Sequence, residues 1–239
     1  MNLKEVIKEN VFESDLSRIG LGKPLVINTI NPHSYCVAKE DKKFANALLS
    51  SDYLMPDGSG IVLAKLILEG KRIQKIAGAD IHKFLLQQAN VNGWKVFYLG
   101  ASEKTLGLIK KRALEEYPNI LLSYYSPPYK PEFSDSDTAE MIKQVNTFQP
   151  DVLFVGMTAP KQEKWVYENR EQLNARVITS IGAVFDFFAG TVKRSGKIWI
   201  NLGLEWLPRL VREPKRLWKR NFVSTPLFLW YLIKAKLNL

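Results

Sequence analysis

The segment DVLFVGMTAPKQEKW, residues 151–165, carries the pattern that decides the fold. Its first seven residues form a β-rich apolar run. A short polar stretch then leads into residues 160–173, where apolar residues recur at three- and four-residue spacing. A strand followed directly by a helix is the unit of a parallel sheet, because parallel strands need a crossover connection. The segment therefore predicts one β–α unit of an α/β domain.

The same alternation extends on both sides of this segment. Further apolar, β-rich runs occupy residues 24–30, 94–100, 120–126 and 175–182. Segments with helical periodicity lie at residues 34–50, 60–69, 79–92, 103–117 and 135–149. We therefore expect a Rossmann-like α/β fold over residues 1–192, a mostly parallel sheet flanked by helices, with the order of the strands left open.

Composition narrows the class of protein. The chain has 239 residues, of which 46% are hydrophobic, and this is enough to build a substantial buried core. Its one cysteine, Cys36, excludes an intrachain disulfide framework and is compatible with a reducing compartment. The first 15 residues intersperse acids and lysines and lack the uninterrupted apolar run of a signal peptide. We expect a cytoplasmic protein.

The excess positive charge is concentrated at the C-terminal end. The formal net charge is +10, and residues 193–239 contain eleven Lys and Arg against two acidic residues. The preceding 192 residues contain 23 basic and 22 acidic residues, so this part of the chain is close to neutral. Such asymmetry favours an anionic partner for the C-terminal part: a membrane leaflet, a phosphorylated substrate or a nucleic acid.

Residues 193–239 are predicted to form a basic helical appendage, interrupted by prolines, that associates with the membrane. Their longest apolar stretch, residues 226–233, is too short to cross a hydrocarbon layer of ~30 Å as a helix. Trp206, Trp218 and Trp230 are of a type that favours headgroup depth, and the neighbouring Lys and Arg suit anionic lipid. We expect peripheral attachment to the inner face of the cell membrane. The plain alternative is a solvated basic face on a packed helix.

Polar clusters follow several of the predicted strands. They are NTINPHS (28–34), LGASEKT (99–105) and the polar part of 156–165, and a further polar cluster, MPDGSG (55–60), precedes the apolar helix predicted to begin near Ile61. Ligands of parallel α/β sheets collect outside the carboxyl ends of the strands. Asp57 lies in a turn that opens a helix, where its carboxylate can face a ligand or cap the helix. LGASEKT is typical of a phosphate-binding turn but lacks both the G-x-G-x-x-G and the Walker sequence.

Two further groups of polar residues have a ligand-binding and a structural interpretation. Lys161, Gln162 and Glu163 begin a predicted helix, where they can face a ligand or cap. Asp186 lies within an apolar aromatic run, and a buried acid needs a partner. A salt bridge to the basic residues that follow is the plain explanation for Asp186.

The sequence predicts no metal site. His33 and His82 are the only histidines, and no CxxC pair is present. The segment 135–137 matches D-x-D literally, but its acids precede a helical pattern, where they favour the helix N-terminus. No motif around Cys36 indicates an activated nucleophile, so we expect a core residue.

Six of these segments together resemble the WecG/TagA/CpsF family of bacterial glycosyltransferases. The resemblance covers roughly residues 20–222. The matching segments are TINPHS, MPDGSGIV, KVFYLGAS, VLFVGMTAPKQEKW, IGAVFDFFAGTVKR and GLEWLPRLVREPKRLWKR. It implies an inverting, metal-independent transferase that needs no cofactor, since its UDP-sugar is a substrate. The acceptor would be an undecaprenyl-diphosphate-linked saccharide in teichoic acid, common antigen, capsule or exopolysaccharide assembly. The expected donor sugar is of the N-acetylmannosamine type, with N-acetylmannosaminuronic acid and glucose as alternatives.

The resemblance also implies roles for individual residues. Asp57 matches the acid proposed as catalytic base, and Thr29 and Gln162 match residues of the catalytic pocket. Arginines of the appendage are thought to reach the diphosphate-bearing substrates. The predicted substrate-binding residues are Asn31, Gly58, Gly100, Ser102, Lys161, Asp186, Arg209, Arg216 and Arg220. The chain departs from the family pattern at Pro208, where tyrosine is common, and at Arg212, where glutamine is common.

The predicted partners are a UDP-sugar donor, a polyprenyl-diphosphate-linked acceptor and an anionic membrane surface, with no nucleic acid. A homo-oligomer is compatible with the sequence, which leaves the oligomeric state open. The alternative function is a non-catalytic membrane-surface or nucleic-acid-binding protein that uses the basic tail. A nucleic-acid binder would show steep salt dependence, and a scaffold would tolerate loss of Asp57.

Overall fold

A computed structural model describes residues 1–192, 210 and 217–239. Its centre is a six-stranded, all-parallel sheet with the strand order β2-β1-β6-β5-β3-β4. The strands are β1 (Leu25–Ile30), β2 (Tyr53–Pro56), β3 (Lys95–Gly100), β4 (Leu121–Tyr125), β5 (Val152–Gly156) and β6 (Val177–Ser180). Because all six run in one direction, their carboxyl ends meet at one edge of the sheet.

Helices cover the sheet and complete the crossovers. They are α1 (Leu3–Glu5), α2 (Pro32–Glu40), α3 (Lys42–Leu49), α4 (Ser59–Glu69), α5 (Gly78–Asn92), α6 (Glu103–Glu116), α7 (Asp135–Phe148), α8 (Lys161–Asn169) and α9 (Gly182–Ala189). Shorter π- and 3₁₀-helical turns occupy Val6–Asn10, Leu16–Arg18 and Arg170–Gln172. Near the end of the chain, a π-helical segment, Lys219–Ser224, leads into the C-terminal helix, Thr225–Leu237. Among the described residues, the helices are too short or too polar to span a lipid bilayer.

The predicted α/β class and the helical C-terminal segment are confirmed, and the differences in detail have local causes. The segment predicted as one helix, 34–50, is two helices that break at Asp41. The Asp41 side chain accepts a hydrogen bond from the Phe44 amide (2.9 Å) and so starts α3. Strand β2 was not predicted, because its apolar run is only four residues long and ends at Pro56. Helix α9 was also not predicted.

The C-terminal helix packs on the body of the protein through one face. Phe228 and Leu232 are buried in a cluster with residues of α2, α4 and the N-terminal segment. The Phe228 ring meets Tyr35 edge-on, with centroids 5.7 Å apart. The boundary predicted at residue 193 lies outside the described residues, so the division into a core and an appendage stays a prediction.

Candidate active site

One cavity of about 1590 Å³ opens at the carboxyl edge of the sheet. All of the predicted site residues that the structure describes line it: Thr29, Asn31, Asp57, Gly58, Gly100, Ser102, Lys161, Gln162, Asp186 and Arg220. Arg209 and Arg216 lie outside the described residues. The fold thus brings together side chains that are up to 191 positions apart in the sequence.

The turns after β1 and β2 lie against each other at one end of this cavity. Asn31 caps α2, since its side chain accepts from the Ser34 amide (3.0 Å). A Cβ atom on Gly60 would lie 2.4 Å from Pro32 Cγ, so only glycine permits this close packing. Thr29, at the end of β1, is half-buried. The packing places Asn31 and the start of α4 side by side.

Asp57 lies at the junction of β2 and α4. Its amide donates to the Ile30 carbonyl (2.8 Å), which extends the β1–β2 pairing and fixes the backbone there. Gly58 occupies the N-cap position of α4 with φ +104°, and no side chain of the described residues caps this helix. Asp57 is therefore not the N-cap residue, and its half-buried carboxylate is part of the cavity wall. This is the arrangement that a residue acting on a bound ligand needs.

Gln162 links the ends of β5 and β6. Its Oε1 accepts from the backbone amides of Met157 (3.0 Å) and Gly182 (3.2 Å), and its Nε2 donates to Glu163 Oε1 (2.9 Å). A Cβ on Gly182 would lie 2.2 Å from the Met157 carbonyl oxygen and 2.7 Å from Gln162 Oε1. The amide orientation is set by these contacts, so the side chain is held in one position.

Glu163 is a buried acid next to Gln162. Burial raises the pKa of its carboxyl to about 7. Within the described part of the chain, its Oε2 and the Ser180 hydroxyl have no hydrogen-bond partner, although both residues are buried and line the cavity. The sequence placed Glu163 at a helix start but did not indicate its burial.

The β3–α6 turn forms another part of the wall. Gly100 has φ +111°, and a Cβ there would lie 2.4 Å from the Gly156 carbonyl oxygen. Ser102 caps α6 by accepting from the Thr105 amide (3.2 Å). The Ser126 hydroxyl, from the segment after β4, donates to the Ala101 carbonyl (2.8 Å). The turn is therefore rigid and faces the cavity.

Lysine and arginine side chains from three parts of the described chain line the cavity: Lys75, Lys161 and Arg220. Lys161 Nζ donates to the Lys130 carbonyl (2.7 Å) and lies over the Phe133 ring, and burial lowers the pKa of Lys161. Lys75 was not predicted, because its segment between α4 and α5 carries no motif. These positive charges suit a ligand with phosphate groups.

Arg220 lines the cavity from the C-terminal segment, which is hydrogen-bonded to the first turn of α2. His33 Nδ1 forms a hydrogen bond of 2.8 Å with the Ser224 hydroxyl. Burial and the nearby Arg220 charge lower the pKa of His33. The segment that carries Arg220 is thus attached next to Asn31 and Asp57.

Several other predicted features have structural roles. Asp137 accepts from the Ser134 amide (2.7 Å) and so completes the capping box at the start of α7, as its acidic context indicates. Cys36 is buried in the core, and burial raises its pKa to about 11. Asp186 Oδ1 lies 3.4 Å from the Thr191 hydroxyl, whereas Lys193 and Arg194 are outside the described residues. Within the described ranges, no group of three or more His, Cys, Asp or Glu could hold a metal ion.

Comparison with known proteins adds a functional context. The whole chain, residues 1–239, matches the profile of the glycosyl transferase WecG/TagA/CpsF family. The N-acetylglucosaminyldiphosphoundecaprenol N-acetyl-beta-D-mannosaminyltransferase of Bacillus subtilis (strain 168) is 34% identical over 213 residues, 89% of this chain and 80% of that protein. Enzymes of the same name from Staphylococcus aureus strains MW2 and NCTC 8325 are each 30% identical over 212 residues, covering 89% of this chain and 81% of theirs.

Proposed function

The chain belongs to the WecG/TagA/CpsF family of glycosyl transferases, and from this premise we propose that it transfers N-acetylmannosamine from a UDP-sugar to a polyprenyl-diphosphate-linked saccharide. The names of its relatives support this donor sugar and a lipid-diphosphate acceptor. The observation that carries the proposal is the shared cavity, in which Asp57, Thr29 and Gln162 lie with Lys75, Lys161 and Arg220. A carboxylate for proton transfer and cations for phosphate are what such a reaction requires.

Asp57 acts as the general base in this proposal. It takes the proton from an acceptor hydroxyl while that oxygen attacks the anomeric carbon of the donor. The bond from that carbon to the UDP oxygen breaks, UDP leaves with the bonding electrons, and the configuration inverts. General-base assistance of this kind contributes roughly 10²- to 10⁴-fold to the rate.

The order of the strands suggests how the donor lies. Asp57 follows β2, whereas Gly100 ends β3 and Ser102 follows it, four strands away. At about 4.8 Å per strand, this separation is roughly 19 Å, enough for a nucleotide-sugar to extend across the edge of the sheet. The sugar would lie near Asp57 and Thr29, and the nucleotide near the β3 turn.

The leaving diphosphate is stabilised by the protein's own positive groups, and the proposed reaction is metal-independent. Lys75 and Lys161 line the cavity, and their ammonium groups can bind the phosphate oxygens of the donor. Backbone N–H groups at the start of α4 and α6 add to the favourable field. The reduced pKa of Lys161 reflects desolvation, which strengthens its attraction to an anion.

We further propose that the protein is attached peripherally to the inner face of the cell membrane. Large apolar side chains are exposed along the C-terminal segment, outside the cavity lining: Trp218, Val223, Trp230, Ile233 and Leu237. Lys234 and Lys236 lie on the same helix and suit anionic headgroups. This location would bring the cavity to a lipid-linked acceptor.

A panel of UDP-sugars tests the proposal. Each donor is incubated with the full chain and a short-chain polyprenyl-diphosphate-N-acetylglucosamine acceptor, and the product is identified by mass spectrometry and its anomeric configuration by NMR. We expect transfer of N-acetylmannosamine with inversion and release of UDP. Retention of configuration would contradict the mechanism. Failure of every UDP-sugar would contradict the enzymatic proposal and favour the non-catalytic alternative.

A further inference from the structure

The cavity has a second, apolar limb that the chemistry proposed above does not use. Leu63 and Leu66 of α4 form one wall, and Phe222 and Leu229 of the C-terminal segment form the other. Leu63, Leu66 and Leu229 are each 40% exposed, and Phe222 is 62% exposed. These side chains are accessible, and apolar surface of this kind gains free energy when a ligand covers it.

The apolar residues are arranged along the two helices and not scattered. On α4, Leu66 lies four residues after Val62 and three after Leu63, so these apolar lining residues share one side of the helix. Helix α4 begins two residues after Asp57, and the rise of a helix places Leu66 roughly 10 Å beyond Ser59. On the other wall, Phe222 lies in the π-helical segment and Leu229 in the C-terminal helix that follows it. The limb therefore leads away from the proposed base.

Neither set of apolar lining residues is needed to hold its helix on the protein. Helix α4 packs through Ile61 and Ala64, which are fully buried on another face. The C-terminal helix packs through Phe228 and Leu232. The exposed leucines are therefore additional to the packing of both helices.

The charges beside the limb indicate what kind of ligand it accepts. Arg220 lines the cavity next to Asn221 and Phe222, and His33 is hydrogen-bonded to Ser224 on the same segment. Within this one cavity, Asp57 supplies a carboxylate, Arg220 a cation and the limb its leucines. A saccharide joined through a diphosphate to an isoprenoid chain presents the matching chemical groups.

We propose that the limb between α4 and the C-terminal helix binds the isoprene units that follow the first one in the lipid-linked acceptor. The inference rests on the proposed function, and it adds a distinct binding site for the apolar part of the substrate. The outer apolar face, at Trp230 and Ile233, does not line the cavity and is available to the bilayer itself. The acceptor chain would thus leave the membrane surface between two protein walls before its sugar reaches Asp57.

Acceptors of two chain lengths test this site in the full chain. One carries a single isoprene unit and the other several, both are presented in detergent micelles, and KM and kcat are measured with wild type and Leu66→Gln. We expect the substitution to raise KM for the longer acceptor about tenfold, because burial of a leucine side chain is lost. The KM for the one-unit acceptor, the KM for the donor and kcat should not change.

Three further variants distinguish binding in the limb from binding at the outer apolar face. Leu63→Gln should act like Leu66→Gln and provides a second variant if the first does not fold. Leu114→Gln, at a 38%-exposed leucine on α6 that does not line the cavity, should leave both acceptors unaffected. Trp230→Gln should weaken binding to anionic vesicles without changing the chain-length preference in micelles.

The results that would overturn the inference are specific. Leu66→Gln and Leu63→Gln could instead change the KM of both acceptors equally, or change neither KM. Either result would show that the limb does not bind the isoprenoid chain. Loss of the chain-length preference in Trp230→Gln would assign the chain to the outer face. Absence of transfer to either acceptor by the wild type would instead contradict the proposed function.

Discussion

The cavity has a polar limb, formed by the turns after β1, β2, β3, β5 and β6, and the apolar limb described above. The two limbs hold their side chains in different ways. In the polar limb, the backbone fixes the side chains: Gln162 is held by two amides and by Glu163, and Gly100 and Gly182 stand where a Cβ would collide with carbonyl oxygens. In the apolar limb, Leu63 and Leu66 extend from a helix face without comparable constraints. Side chains are therefore held in fixed positions in the polar limb, where bonds would form and break. The apolar limb contributes only accessible apolar surface.

Stability measurements test this difference between the limbs, and the largest change in the free energy of unfolding is expected at the C-terminal helix. Phe228→Ala should lower the free energy of unfolding by about 3–5 kcal/mol, because a fully buried ring is replaced by a cavity. Its neighbour Leu229 faces the apolar limb and is 40% exposed, so Leu229→Ala should have a much smaller effect. Urea unfolding of both variants measures the difference. Equal losses would mean that the two faces of the helix are not distinct.

A smaller, pH-dependent effect is expected in the polar limb at Glu163. Burial raises the pKa of this carboxyl from 4.5 to about 7. Between these values the native state keeps a proton that the unfolded state releases. Raising the pH through this window therefore destabilises the fold, by about 3 kcal/mol in total above pH 7. Glu163→Gln does not ionise and should lose this part of the pH dependence.

The measurement is the free energy of unfolding at pH 5 and pH 8 for wild type and variant. We expect the variant to become more stable relative to the wild type as the pH rises. Glu171→Gln, at a residue whose side chain is 88% exposed, is the matched control and should retain the wild-type pH dependence. If the free energies of unfolding of wild type and Glu163→Gln differ by the same amount at both pH values, the raised pKa of Glu163 is contradicted.

The smallest change in stability is expected at the hydrogen bond between the C-terminal segment and α2. Ser224→Ala removes the hydrogen bond to His33 and should cost about 1 kcal/mol. Ser14→Ala, at an exposed position, is the control and should be close to neutral. Thermal unfolding of the two variants gives the comparison. A loss of stability as large as that of Phe228→Ala would mean that the hydrogen bond to His33, and not the buried Phe228 side chain, holds the C-terminal segment on the protein.

The sequence predicts the polar limb better than the apolar one, for physical reasons. Turns after parallel strands meet at one edge whatever the strand order, so NTINPHS, LGASEKT and APKQE could be grouped before the order was known. The wall formed by Leu63 and Leu66 depends on how α4 faces the C-terminal helix, which lies far away in the chain. Periodicity predicts the helix but not the neighbour of each face.

Strand order and the burial of single residues also depend on distant contacts. The insertion of β6 and β5 between β1 and β3 follows from pairings that no local pattern specifies. Lys75 reaches the cavity from a segment without a motif, and Glu163 is buried although its neighbours are polar. Such residues become candidates only when the fold brings their elements together.

The role of Asp57 as general base is decided by the single-turnover rate of Asp57→Asn with UDP-N-acetylmannosamine and the lipid-linked acceptor bound. We expect a rate roughly 10²- to 10⁴-fold below that of wild type, with donor affinity unchanged, because only proton transfer is lost. Asp135→Asn, at an exposed acid at the start of α7, serves as the control and should react at the wild-type rate. Turnover of Asp57→Asn at the wild-type rate would contradict the role of Asp57 as the base.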